Sequence, residues 1–266
     1  MTRWTGRPKS GMMRLLHFDR SATMPENATP DLFDDLRRGH LSPRLAEQLS
    51  PFSVDEHERH VASLDDGGTW PVFGLDIASP PGLYRPHPAS SSLFILRTLL
   101  REPPRLGRLL ELGCGTGVLG LTLLHQGLAD TATLIDVSDT AVQAAQANAA
   151  CAGLAERVRA QQGDLFAPVR GERFDSVLFN LPLMHADHAG RRHLALDDTT
   201  GQLARRFFTA LPEHLSPGGR AFFSYANISD PAPLDALGQH MAVELLAAEW
   251  VARSGFWLFV YQATAR

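Results

Sequence analysis

The sequence lacks most of the features that would settle a protein's class at a glance. Among 266 residues only Cys114 and Cys151 are cysteine, and neither stands in a C-x-x-C or metal-ligand spacing. That argues against a disulfide framework and makes a reducing, cytoplasmic compartment the expectation. No run approaches the ~20 apolar residues of a membrane span. The apolar stretch after Arg3, Arg7, Lys9 and Arg14 is also too short for a signal sequence, so the chain reads as soluble. An excess of one charge is missing as well: 25 Lys and Arg face 29 Asp and Glu, a net charge of −4. No broad basic field advertises a nucleic acid, and DNA is not expected as a partner. Internal repeats and low-complexity tracts are absent.

What is present is alternation. Residues 1–27 show no regular pattern. Thr29-Pro30, Ser42-Pro43 and the pair Ser53 and Glu56 are helix-start signals, which predict a small helical unit over residues 28–68. Residues 70–85 look extended, with Pro80-Pro81-Gly82 as the expected turn of a β-hairpin. A helix is expected over 90–101. Strands follow at 108–112, 132–137, 158–162, 174–180 and 220–225, separated by helices at 117–126, 138–152 and 200–215. Ser216-Pro217-Gly218-Gly219 is expected to stop the last of these helices. A helix over 234–241 and strands near 243–252 and 256–263 complete the chain. Such β–α alternation predicts a doubly wound seven-stranded sheet covered on both faces. Arg253-Ser254-Gly255 is too short for a crossover, so the last strand must run antiparallel.

Glu111-Leu112-Gly113-Cys114-Gly115-Thr116-Gly117 closes one strand and opens a helix. Glycines there allow a sharp turn and a close backbone approach to a ligand, and the helix start offers unpaired N–H groups. Asp136 ends the next strand, where a carboxylate can accept both ribose hydroxyls of a nucleoside cofactor. In this E-x-G-x-G-x-G form the sequence resembles the class I S-adenosylmethionine-dependent methyltransferases, with their Rossmann-like sheet. The resemblance implies S-adenosylmethionine as cofactor and S-adenosylhomocysteine as product. It assigns Glu111, Gly113, Cys114, Gly115, Gly117 and Asp136 to the cofactor site. It adds Asp164, in Gly163-Asp164-Leu165-Phe166, as the adenine-amino contact, with Leu165 beside the ring. The rival is a dinucleotide fold, because Gly115-Thr116-Gly117-Val118-Leu119-Gly120 also satisfies G-x-G-x-x-G.

Asn180-Leu181-Pro182-Leu183, at the carboxyl end of the fourth strand, resembles the N-P-P-Y motif of amino- and amide-methylating members of that family. By that likeness Asn180 lies in the cofactor and catalytic site, and with the Pro182 backbone it accepts hydrogen bonds from the target nitrogen. Leu181 replaces a proline, and Leu183 replaces the aromatic that stacks on a flat acceptor. The segment from Phe73 to Ser91 is similar to the hairpin and P-R-P-x-T-E stretch of HemK-type protein-glutamine methyltransferases. His87, Ser90 and Ser91 stand where that family has arginine, threonine and glutamate. Tyr84, His87, Leu183, His185 and His188 are the candidate substrate contacts. His185 and His188 share a loop with His193, Asp197 and Asp198 that reads either as substrate-facing or as solvated. Methyl transfer of this kind needs no metal, and none is expected. Arg205-Arg206 reads as solvated charge.

The sequence thus predicts an N-methyltransferase domain over 69–266 behind a helical substrate-recognition unit. Its expected acceptor is an amine, amide or guanidine of a small metabolite or peptide side chain. The alternatives are a translation-factor glutamine, a ribosomal RNA base, and a catalytically silent cofactor-binding regulator.

Overall fold

A computed structural model describes residues 66–85, 90–183, 198, 201–251 and 256–266. The expected helices before residue 65, and His87, His185, His188, His193 and Asp197, lie outside the described residues. Two sheets are formed. The first is a hairpin of β1 (Gly68–Val72) and β2 (Leu75–Ser79). After helix α1 (Ser91–Arg101) the main alternation runs β3 (Gly107–Leu112), α2 (Val118–His125), β4 (Ala129–Asp136), α3 (Asp139–Cys151), β5 (Val158–Gln162) and β6 (Phe174–Phe179). It continues with α4 (Gln202–His214), β7 (Leu215–Ala226), α5 (Pro231–His240), β8 (Met241–Val251) and β9 (Phe256–Ala265).

The main sheet has seven strands in the order β5-β4-β3-β6-β7-β9-β8. β9 is antiparallel to both its neighbours, and the pairs from β5 to β7 are all parallel. The antiparallel last strand expected from the three-residue connection is therefore present. Alternation along the strands builds a core on each face. Leu110, Val177, Phe179, Phe223 and Phe259 join Phe207 of α4 and Leu234 of α5 in one cluster. Leu109, Leu178, Phe222 and Val260 join Ile95 of α1, Leu121 of α2 and Ala145 of α3 in the other. Helices cover both faces, and the parallel strands end side by side along one edge.

Two expected boundaries are corrected. The hairpin turns at Phe73-Gly74, not at Pro80-Pro81-Gly82, and its strands begin at Gly68. Phe73 (φ 45°) and Gly74 (φ 90°) both take positive φ, as a two-residue turn between twisted strands requires. The side-chain amide of Gln126, at the end of α2, donates to the Phe73 carbonyl at 2.9 Å and holds this strained turn in place. The second correction concerns Ser216-Pro217-Gly218-Gly219. These residues lie inside β7, where pairing passes from Phe174↔Leu215 to Ser176↔Arg220 through a register shift. A bulge absorbs the breaker residues, so the strand starts earlier than their composition suggests.

Candidate functional site

Near the carboxyl ends of the parallel strands Gln162 of β5 pairs with Asp136 of β4, Ile135 of β4 with Leu112 of β3, Leu112 with Phe179 of β6 and Phe179 with Phe223 of β7. The residues just beyond them form one continuous rim, where open α/β sheets place their ligands. The chain leaves β3 for β4 on one side and returns to β6 on the other, so the glycine turn after β3 sits at the switch point.

Gly113, Gly115 and Gly117 all adopt left-handed backbone, with φ of 59°, 53° and 75°. A Cβ on Gly113 would lie 2.9 Å from the Phe179 ring, so the turn packs directly on β6. A Cβ on Gly115 would meet nothing within 4 Å: its missing side chain leaves open space above the turn. Gly117 caps α2 without a side chain, which leaves the first-turn amides needing acceptors. Glu111 supplies one. It is buried, and its Oε2 accepts from the Gly120 amide at 2.8 Å. Burial, with the Asp136 charge adding, pushes its carboxyl up to about 8 against the opposing hydrogen bond. Glu111 therefore braces the turn from beneath, whereas the sequence offered it as a cofactor contact. Cys114 is buried in the turn and donates its amide to the Ile135 carbonyl at 3.0 Å; burial raises its thiol well above the ordinary range.

Asp136 knits the rim together. One carboxylate oxygen accepts from the Gly115 amide at 2.8 Å and the other from the Ser138 amide at 2.9 Å, while its carbonyl accepts from Gly163 at 2.9 Å. Each carboxylate oxygen keeps a further lone pair, enough for two hydroxyl donors. Beside it stands Val137, 55% exposed, an apolar side chain on a polar rim that the sequence reading passed over. Its signal was available: an apolar residue directly after a strand-ending acid. Across from it Leu165 takes positive φ (49°) and packs against the core. Asp164 is turned outward and paired with Arg206 at 2.5 Å, both about half exposed. A cleft of about 740 Å³ opens there, between Asp164–Gly171 and α4. Arg206 is thus an ion-pair partner and Arg205 lies 3.8 Å from Asp230, and both side chains remain about half exposed.

On the other side of the turn, Asn180 is held at both ends. Its Nδ2 donates to Ser92 Oγ at 3.0 Å, and its Oδ1 accepts from Ser224 Oγ at 2.8 Å. Leu181 is buried in the core beneath it. Leu183 is half-buried against the second core, and its carbonyl accepts from Ser229 Oγ at 2.7 Å. Tyr84 is half-buried, with its hydroxyl 3.5 Å from Ser91 Oγ and its pKa raised by burial. The Asp198 carboxylate accepts from the Leu203 and Ala204 amides and caps α4.

One further residue joins the parts. Asn148, buried on α3, accepts from the Ala78 amide at 3.0 Å and donates to the Ala78 carbonyl at 2.8 Å and the Thr116 carbonyl at 2.9 Å. A single side chain thus fastens the hairpin to the glycine turn. Nothing local in the alanine-rich helix marked it.

An adenosyl group fits this rim. Asp136 offers acceptors where ribose hydroxyls would lie, Val137 and Leu165 offer apolar surface for a flat ring, and Gly115 leaves room for close approach.

Comparison with known proteins accords with that fit. Residues 75–243 match the methyltransferase small domain. The chain is 32% identical over 132 residues to the ribosomal protein uL3 glutamine methyltransferase of Bradyrhizobium diazoefficiens, covering 46% of this chain and 41% of that one. It is 33% identical over 178 residues to the ribosomal RNA small subunit methyltransferase C of Klebsiella pneumoniae, covering 63% and 48%. It therefore spans about half the length, or less, of these curated relatives. Among solved structures, the ribosomal protein L11 methylase of Lactobacillus delbrueckii superposes with a TM-score of 0.54 at 20% identity, over 74% of this chain and 90% of that one, a likeness of fold.

Proposed function

We propose that this chain, which belongs to the methyltransferase small domain family, moves the methyl group of S-adenosylmethionine onto the nitrogen of a planar, conjugated NH2 group. The observation that carries the reading is Asn180, fixed at both ends and set beside the glycine turn, with one Oδ1 lone pair unclaimed among the described residues. When bound, the cofactor supplies a methyl carbon on a cationic sulfur. The chain's own residues do the rest. Asp136 takes the ribose hydroxyls, Val137 and Leu165 flank the base, and Asp164 takes the adenine amino group once Arg206 yields or shares it. Gly113, Cys114, Gly115 and Gly117 shape the bed. Asn180 Oδ1 and the Pro182 carbonyl accept the two N–H hydrogens, which turns the nitrogen lone pair toward the methyl carbon. Transfer would form a nitrogen–carbon bond as the sulfur–carbon bond broke, leaving the bonding pair on sulfur as a neutral thioether. The positive charge growing on nitrogen is met by the same two acceptors until an N–H proton leaves.

The acceptor we favour is the primary amide of a glutamine side chain in a protein. A glutamine is what the Bradyrhizobium relative's name specifies. A chain of net charge −4 is also ill suited to gripping a phosphate backbone. A ribosomal RNA base is the second reading, favoured by the Klebsiella relative, which aligns over more of this chain. The small-metabolite acceptor expected from the sequence finds no counterpart in these relatives. Transfer of labelled methyl from S-adenosylmethionine into a size-fractionated cell extract separates the readings. The expected result is label in protein, released on digestion as methylglutamine. Label in ribosomal RNA or in the small-molecule fraction would replace the acceptor. Tight S-adenosylhomocysteine binding with no label in any fraction would leave a regulator and overturn the reading.

A further inference from the structure

We infer that Ser92 and Ser224 form a hydroxyl clamp that locks the plane of the Asn180 amide beside the reacting group. The inference rests on the reading of Asn180 above and adds two positioning residues to it.

An asparagine side chain turns freely about its own bonds, and an acceptor that turns cannot hold a donor in line, so the amide plane has to be held from outside. Asn180 follows β6 directly, and the Phe179↔Phe223 register sets Ser224 of β7 beside it. Ser224 is fully buried and donates to Oδ1 at 2.8 Å. From above the sheet, Ser92 in the first turn of α1 accepts from Nδ2 at 3.0 Å. It too is buried, at 3% exposure. The contacts join residues 88 and 44 positions apart in sequence, so the clamp exists only in the folded chain. Among the described residues Ser224 occupies only one of the two lone pairs of Oδ1, and Ser92 takes one of the two Nδ2 hydrogens. The clamp thus presents a single acceptor in a fixed plane, the condition under which an in-line geometry holds.

The test needs no knowledge of the acceptor. Sinefungin is the analogue of S-adenosylmethionine in which a carbon bearing an amine replaces the methylated sulfur. Its ammonium N–H lies near the position of the transferred methyl and can donate to Asn180 Oδ1. Calorimetry of sinefungin and of S-adenosylhomocysteine gives an affinity ratio in which general losses of cofactor binding cancel. The parent protein should prefer sinefungin by about tenfold or more, the worth of one hydrogen bond to a charged donor. Asn180→Ala should abolish that preference. Ser224→Ala and Ser92→Ala should each remove most of it, and in the Asn180→Ala background both serine changes should be silent. If Asn180→Ala keeps the preference, Asn180 does not face the methyl position and the underlying reading fails. If Asn180→Ala loses it while both serine variants keep it, the reading stands and the clamp is overturned. A structural role alone would lower both affinities and leave the ratio unmoved.

Discussion

At the scale of single residues, Glu111 shows how a charge can be present in a motif for the sake of its neighbours. Its carboxyl replaces the side-chain cap that Gly117 cannot provide, and burial holds a proton on it up to about pH 8. In the unfolded chain the same carboxyl loses its proton near 4.5. A raised folded-state pKa means that the folded form binds more protons between these values. Its contribution to stability is therefore whole below about pH 4.5 and falls away as the pH climbs to about 8, by up to ~1.4 kcal/mol per unit. Glu111→Gln keeps an oxygen for the Gly120 amide and cannot titrate. In urea denaturation of the ligand-free protein, the variant should gain on the parent steadily from pH 5 to pH 8. Parallel pH profiles would show that Glu111 is ionised in the folded state. The motif's residue types were legible from the chain alone because glycines at left-handed positions and a strand-ending acid are local demands. The role of Glu111 was not, since it depends on a helix amide nine residues away that the turn brings back underneath.

Among elements, what could be read was periodicity, and what could not was attachment. The strands of the parallel sheet and the Ser138 cap of α3 follow from apolar runs and a hydroxyl at the right offset. The hairpin turn did not, because Phe73-Gly74 lacks the usual Asn-Gly or Asp-Gly signature and is held by Gln126 from another element. Pro80-Pro81-Gly82 is the stronger local turn signal, yet it lies beyond the hairpin. Asn148 is the sharpest case of attachment, with three hydrogen bonds to the backbones of β2 and the glycine turn. Asn148→Ala should cost about 3 kcal/mol, since it leaves buried backbone groups unpaired. It should also speed amide exchange at Ala78, whose N–H would lose its acceptor. The two measurements separate the effects: stability comes from denaturant titration, and loosening of the hairpin from hydrogen exchange. Should Ala78 stay as protected as in the parent, the hairpin would be held by the Gln126 contact and its apolar contacts, chiefly Val72, Leu75 and Ile77 in the second core.

For the whole molecule, the choice of ligand follows from how the sheet is wound and charged. Gly115-Thr116-Gly117-Val118-Leu119-Gly120 satisfies the dinucleotide pattern. Two features tell against a nicotinamide cofactor, however. The sheet ends in the antiparallel pair β8–β9, and β9 is inserted between the last two strands of the second half, β6-α4-β7-α5-β8, where a dinucleotide fold would pair them directly. Moreover, the Asp136 carboxylate is bonded to the Gly115 amide, inside the turn where a pyrophosphate would have to sit. An anionic pyrophosphate would meet a carboxylate there, whereas a neutral nucleoside sugar would meet a hydrogen-bond acceptor. A ligand that binds only the folded chain stabilises it by about 2.7 kcal/mol at a hundred times its dissociation constant. For a chain of this size that is roughly 5–10 °C in melting temperature. S-adenosylhomocysteine should produce such a shift and NAD none. Asp136→Ala should shrink the shift at the same ligand concentration, because it removes the proposed ribose acceptors and the tie that holds Gly115 in place. A melting curve that NAD displaces and S-adenosylhomocysteine does not would mean that the turn takes a pyrophosphate in spite of Asp136, and that the rim was built for hydride transfer.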